Sequence, residues 1–217
     1  MENHSERSVP SEQLPPIKFQ ILFFPAVQSV NFTTVSYLLN RDHIVLPKRR
    51  EMFYKACHLF GKAACLNKTL QDAFYVNNFT TYTSRARYSK YFHPLHTLVD
   101  SAEIQKAHEL RQSPHEEHPL GDTELEKEYL PQMETEDASP LLTASLDYLP
   151  AAYIVTTGFD IERDEGLLYV DRLRSAEGIS MVKHVHYAQK YHALINFRPD
   201  IIANDLIHFL NEHPEVW

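Results

Sequence analysis

Two compact apolar runs constrain this chain most: residues 21–24 within IKFQILFFP, and residues 153–157 within LPAAYIVTTGFD, each closed by turn-forming residues. Short runs with little polar alternation read as strands covered on both faces, the habit of parallel sheets. Parallel neighbours need a long crossover, usually a helix, and the chain supplies one directly after the second run. In DEGLLYVDRLRSAEG, Tyr169, Leu173 and Ala176 share a helical face, Asp164 and Glu165 stand where the helix dipole favours acids, and Arg172 and Arg174 stand where it favours bases. Gly178 is a natural stop. ISMVKHVHY (179–187) then reads as a third strand, and DIIANDLIHFLNEH as a closing helix with Ile202, Leu206, Phe209 and Leu210 along one stripe. Strand, helix, strand, helix in so few residues predicts an α/β fold with a mainly parallel sheet flanked by helices.

The remainder divides by composition. Residues 1–16 are polar, end in Pro15-Pro16 and read as a flexible lead-in to a domain over 17–217. From about 45 to 95 the pattern is helical and cap-like, with Met52, Ala56, Leu59 and Phe60 at spacings of three and four. Residues 97–137 are charged, poor in apolar side chains and punctuated by Pro114, Pro119 and Gly121, which predicts an exposed insertion. Histidines at 93, 96, 115 and 118 have a spacing that metals use, but solvated loop histidines explain them as well, so no metal is assigned. Zinc binding through His115 and His118 would reopen that question.

A net charge of -8 argues against nucleic acid as a partner. No run of about 18 apolar residues is present to span a membrane, and the opening MENHSERSVPSEQLPP has no apolar core of the signal-peptide kind. Cys57 and Cys65 are the only cysteines, too few for a disulfide framework or a zinc cluster. Three sequons, at Asn31, Asn67 and Asn78, lean the chain toward the secretory pathway.

Functional groups of open parallel sheets collect beyond the carboxyl ends of the strands. Two candidates stand there: Asp160, three residues past the second strand, and His192, five past the third. An acid that orients an imidazole is half of a nucleophile, base and acid triad. Thirteen histidines make one near a strand end common, however, so position alone does not assign the pair.

More specific is the block D-x-x-R-D-E-G at 160–166, followed by the YVDRLR helix and by a histidine about thirty residues after the first acid. With FQILFFPAVQ, LQDAFYVNNFT and SPLLTASLDYLPAAYIV, it resembles the C-terminal part of the hormone-sensitive-lipase branch of the α/β-hydrolases (α/β hydrolase fold-3), and within it the arylacetamide-deacetylase-like members. The likeness covers most of the chain outside 97–130. It implies that Asp160 is the triad acid, His192 the general base, and Asp164 with Arg163 structural support. The implied substrate is a small apolar ester or amide, lipid esters included; no cofactor is implied, and the implied location is the endoplasmic reticulum, on its lumenal side. Glu162 stands where the family usually has leucine, and Ala193 where it usually has glycine after the histidine.

The nucleophile of this fold sits on a G-x-S-x-G elbow and precedes the acid and the histidine in the chain. Glycines occur only at 61, 121, 158, 166 and 178, and no two are four apart, so the elbow is absent from these residues. The expectation is therefore the acid-and-histidine part of a serine esterase, inactive alone, whose missing N-terminal half is its partner. The alternatives are a non-catalytic, hydrolase-like interaction protein and a metal-binding protein using the insertion.

Overall fold

The computed structural model describes residues 15–112 and 121–216. In chain order these form β1 (Phe19–Phe23), α1 (Val35–Leu39), α2 (Lys48–Cys65), α3 (Lys68–Tyr75), α4 (Tyr82–Phe92), α5 (Leu95–Leu98), α6 (Ser101–Arg111), α7 (Thr123–Met133), β2 (Ala151–Phe159), α8 (Arg163–Ser175), β3 (Val182–Tyr191), α9 (Leu194–Phe197) and α10 (Pro199–Glu212). The strands make one parallel sheet in the order β1-β2-β3.

The central strand sets the layers. Residues 151–157 are all buried, because alternate side chains of a strand face opposite sides and both sides are covered. Ala152 and Ile154 pack with Val35, Leu38, Leu168 and Leu173, the side of α1 and α8. Tyr153 and Val155 pack with Phe24, Leu194, Ile202 and Phe209, the side of α9 and α10. A third cluster, built on Phe32, Tyr37, Met52, Phe74 and Met133, joins α2, α3 and α7 to the segment after β1. Each such fully buried side chain contributes about 1.5–3 kcal/mol.

Two strand bounds need correction, and two regions gain detail that the sequence did not give. The first strand ends at Phe23, not Phe24, because Phe24 turns into the left-handed region at φ 52. The cap-like helical region expected at about 45–95 holds α2, α3 and α4, and α2 is broken at Gly61, whose φ of 77 is open to glycine. The charged segment 97–137 holds α6 and α7, capped by Asp100 and Asp122, with Ala107, Leu130 and Met133 as their buried contacts. One or two buried positions per helix leave no apolar stripe to read. Last, β3 runs to Tyr191 rather than Tyr187. His115 and His118 lie outside the described residues, and Cys57 and Cys65 are both free thiols.

The extension of β3 has a local cause. The β2–β3 register shifts between Thr157 and Phe159, and pairing resumes with Phe159 opposite Tyr191. Gly158 sits in that irregularity, where a Cβ would come 1.8 Å from the Ala188 carbonyl oxygen, so only glycine lets the strands close there. Gly158→Ala is therefore expected to cost about 1–3 kcal/mol and to pull the two strand ends apart, read as a lower urea midpoint together with shifted amide resonances at 159–160 and 191–192. Ile21, 39% exposed on β1, lies on an edge with no strand partner among the described residues. Unpaired apolar edges template association, so sedimentation should show concentration-dependent self-association of the chain that Ile21→Lys reduces.

Candidate active site

β2 and β3 end in step. Phe159 and Tyr191 are register partners, so the next residues, Asp160 and His192, leave the sheet side by side. The helix between the two strands does not separate them, and neither residue stands several positions beyond its strand as the sequence suggested. His192 Nδ1 lies 3.0 Å from Asp160 Oδ1, the distance at which an imidazole N–H donates to a carboxylate. The same Oδ1 accepts from the backbone N–H of Glu162 at 2.9 Å. Asn40 holds the strand end from the other side, donating to the carbonyls of Gly158 at 3.2 Å and Asp160 at 2.9 Å.

Exposure divides the pair. Asp160 is buried, whereas the His192 side chain keeps 22% of its surface. No hydrogen bond occupies the Nε2 of His192 among the described residues. The Phe24 ring, turned out of β1, stands 5.4 Å from the imidazole. Phe159, Tyr191 and the ring of His43, 4.7 Å from Tyr191, add an aromatic border. Ala193 is left-handed at φ 59 and ψ 27, a conformation that costs a residue with a Cβ about 1–2 kcal/mol and that glycine adopts freely.

The other acids of the block turn inward. Asp164 accepts from the Ser36 backbone N–H at 2.7 Å and from Arg163, which also reaches Glu103 of α6 at 2.8 Å. Neither Asp164 nor Arg163 touches His192. Glu165 does more than complement a helix dipole. It is fully buried and accepts from the N–H groups of Val27 at 2.8 Å and Gln28 at 3.1 Å, the Gln28 amide at 2.8 Å and the Tyr37 hydroxyl at 2.9 Å. Sequence reading missed Lys55, buried on α2, whose ammonium donates to the Gln28 carbonyl at 2.8 Å and lies 3.6 Å from Glu51, 3.9 Å from Glu162 and 3.8 Å from Glu165. Only its place on the buried face of α2, one residue before Ala56, could have hinted at it.

Two of the carboxylates around this ammonium, and the ammonium itself, are shifted. Burial, then Glu51, raises Glu162 well above the usual range, and burial raises Glu165. Burial alone would lower Lys55, but Glu165, Glu51 and Glu162 outweigh it and push the lysine up to about 12. Lys48 is the opposite case. It is buried between the rings of Tyr75, 5.0 Å away, and Tyr37, 5.9 Å away, and burial together with Arg41 and Arg111 lowers it to about 7.

A cleft of about 590 Å³ opens elsewhere, between residues 30–35 and α4 to α6, lined among others by Tyr88, Phe92, His93, His96 and Arg111. Of the aromatic stretch 75–91, Tyr88 reaches it, while Tyr75 packs on Lys48 and Arg49. The ligand atoms of Asp160, Glu162 and His192 lie within 4.8 Å of one another, the one group among the described residues that could converge on a metal ion. The sequon side chains differ: Asn67 is exposed and caps α3, and Asn31 is half-buried and accepts from Thr33.

Parallel strands, flanking helices and an acid–imidazole pair at adjacent strand ends define a hydrolase-like α/β domain. Residues 81–196 match the family described as alpha/beta hydrolase fold, and the chain belongs to that family. Among curated proteins it is 29% identical over 184 residues to neutral cholesterol ester hydrolase 1 of Rattus norvegicus, covering 83% of this chain and 42% of that one. It is 28% identical over 203 residues to arylacetamide deacetylase of Bos taurus, covering 91% of this chain and 47% of that one. The chain thus spans under half the length of these relatives. Among solved structures it is similar to a thermostable esterase from Pseudomonas putida, with a TM-score of 0.42 and 22% identity, covering 83% of this chain and 35% of that one.

The two lysines give opposite expectations. Lys55→Met leaves Glu51, Glu162 and Glu165 without a cation and should cost about 3–5 kcal/mol, whereas Lys48→Met removes a buried ammonium with no carboxylate partner among the described residues and should stabilise. The pH sign follows from the shifts. Acids raised in the fold contribute stability that is complete below the ordinary carboxylate range and is lost as pH climbs through their raised folded values. Glu162→Gln should therefore gain on the native chain as pH rises from about 4.5 toward 8, measured by urea unfolding across that window. Lys48, lowered to about 7, contributes most above its ordinary 10.5 and least as pH falls through 7, so Lys48→Met should gain on the native chain as pH falls.

Proposed function

We propose that this chain carries the acid and the general base of a serine-type hydrolase acting on carboxylic esters or arylamides, Asp160 and His192. The observation that carries the reading is the 3.0 Å contact between a buried carboxylate and the Nδ1 of a partly exposed imidazole at adjacent strand ends. With Nδ1–H donated to Asp160, the lone pair of Nε2 faces outward, free to take the proton of an attacking hydroxyl and return it to the leaving group. Asp160 fixes the tautomer and offsets the charge of the imidazolium. Asp164 and Arg163 brace the turn that delivers Asp160. Phe24, Phe159 and Tyr191 would border an apolar acyl or aryl group, which suits small apolar substrates and lipid esters.

The nucleophile is not among these 217 residues, since no G-x-S-x-G occurs. We place it on a segment N-terminal to them, following the serine, acid, histidine order of this fold. That segment would also supply the oxyanion donors. The absence of an elbow equally favours a second reading, a hydrolase-like chain that binds without catalysis. For location we propose the endoplasmic reticulum lumen, on the three sequons and on the likeness to arylacetamide deacetylase; no helix of the described residues is long and apolar enough to cross a membrane.

One experiment separates the readings. The natural protein, captured with an antibody to residues 158–192 and deglycosylated, should have a mass well above 25.3 kDa and should label with a serine-directed fluorophosphonate. Its His192→Ala variant should lose about 10³-fold or more in kcat on an aryl ester. A labelled serine with full activity after His192→Ala would refute the assigned base, and an unlabelled 25.3 kDa protein would favour the binding reading.

A further inference from the structure

We propose that Glu162 is a second positioning carboxylate for His192, held toward the imidazole by Lys55 of α2. Glu162 is 5% exposed and stands between two nitrogen bases: its Oε2 is 3.9 Å from His192 Nδ1 and its Oε1 is 3.9 Å from Lys55 Nζ. Its place is fixed at both ends. The backbone N–H is held by Asp160 Oδ1 at 2.9 Å, and Lys55 is itself anchored on the Gln28 carbonyl at 2.8 Å. The Nδ1 of His192 thus faces two carboxyl groups, Asp160 at hydrogen-bond distance and Glu162 about 1 Å beyond it.

An apolar side chain would fill this position without the cost of burying a carboxyl group. The charges around it account for the acid. Glu51 and Lys55 face it from α2, Glu165 from α8 and Asp160 from the end of β2, so four acids share one permanent cation. An imidazolium at His192 is the second cation within reach. A carboxyl group keeps an acceptor oxygen in either protonation state, so Glu162 can take the Nδ1–H bond whenever Asp160 gives it up. Glu162 acts through His192 and not on substrate. The inference deepens the acid-and-base reading above, but its test reads the imidazole itself and is independent of whether the chain hydrolyses anything.

The test is nitrogen NMR on the full chain with labelled histidine, the His192 signals assigned by their loss in His192→Gln. The native ring should carry its proton on Nδ1. Replacing a triad acid by its amide ordinarily leaves the imidazole in the wrong tautomer. Here Asp160→Asn should keep Nδ1–H in roughly half of the molecules or more, because Glu162 accepts it, and Asp160→Asn with Glu162→Leu should turn the ring over to Nε2–H. The proposal is overturned if the single amide variant changes tautomer as fully as the double one, or if the double variant still holds Nδ1–H. Should the amide variant not fold, Glu162→Leu alone provides the second arm. The Nδ1 proton, no longer flanked by Glu162, should exchange with water several-fold faster, and unchanged exchange overturns the proposal.

Discussion

Four carboxylates within six residues, Asp160, Glu162, Asp164 and Glu165, are buried at the end of one strand, and the rest of the molecule is arranged around what satisfies them. A lone ionised carboxylate in such a place would cost far more than a domain's whole stability. None is alone. Asp160 is met by His192 and by a backbone N–H, Asp164 by Ser36 and Arg163, Glu165 by Val27, Gln28 and Tyr37, and Glu162 by Lys55. Beyond the block itself, the partners come from four stretches of chain. The acidic block therefore ties the segment after β1, α1, α2 and β3 to a single point, and through Arg163 it reaches α6.

Much of this was legible in the sequence. The central strand showed as an uninterrupted apolar run, α8 and α10 as periodic faces, α8 with the expected charges at its ends as well, and the D-x-x-R-D-E-G block as the place to look. What stayed hidden is what depends on partners far along the chain. Lys55 and Gln28 are 27 residues apart, and Glu165 lies 137 from Gln28; no local pattern links them. The last turn of β3 was unreadable for another reason. Residues 188–190 are Ala, Gln and Lys, mostly exposed on an edge strand, so they carry no hydrophobic signature. Helices α6 and α7 were lost in the same way, by having so few buried positions.

The hidden turn of β3 matters most for chemistry, because it decides where His192 stands. If β3 had ended at Tyr187, four unpaired residues would have separated the imidazole from the sheet, and its position within about 1 Å could not have been fixed by the strands. Pairing of Phe159 with Tyr191 removes that freedom. A glycine is required where the strands come closest, so one residue with no side chain sets the separation of Asp160 and His192.

The sheet order then gives the pair its asymmetry. Asp160 leaves the central strand, covered on both faces, and is shielded from water. His192 leaves an edge strand, and its ring is partly open. An orienting carboxylate is most effective where the dielectric is low, and a proton-transferring imidazole needs an open nitrogen. Exchanging the two residues between the strands would invert both conditions, with an exposed acid screened by solvent and a buried imidazole that no substrate could reach. With the acid on the central strand and the histidine on the neighbouring one, the carboxylate is buried while the imidazole keeps an open Nε2, the division of exposure that the proposed acid-and-base reading requires.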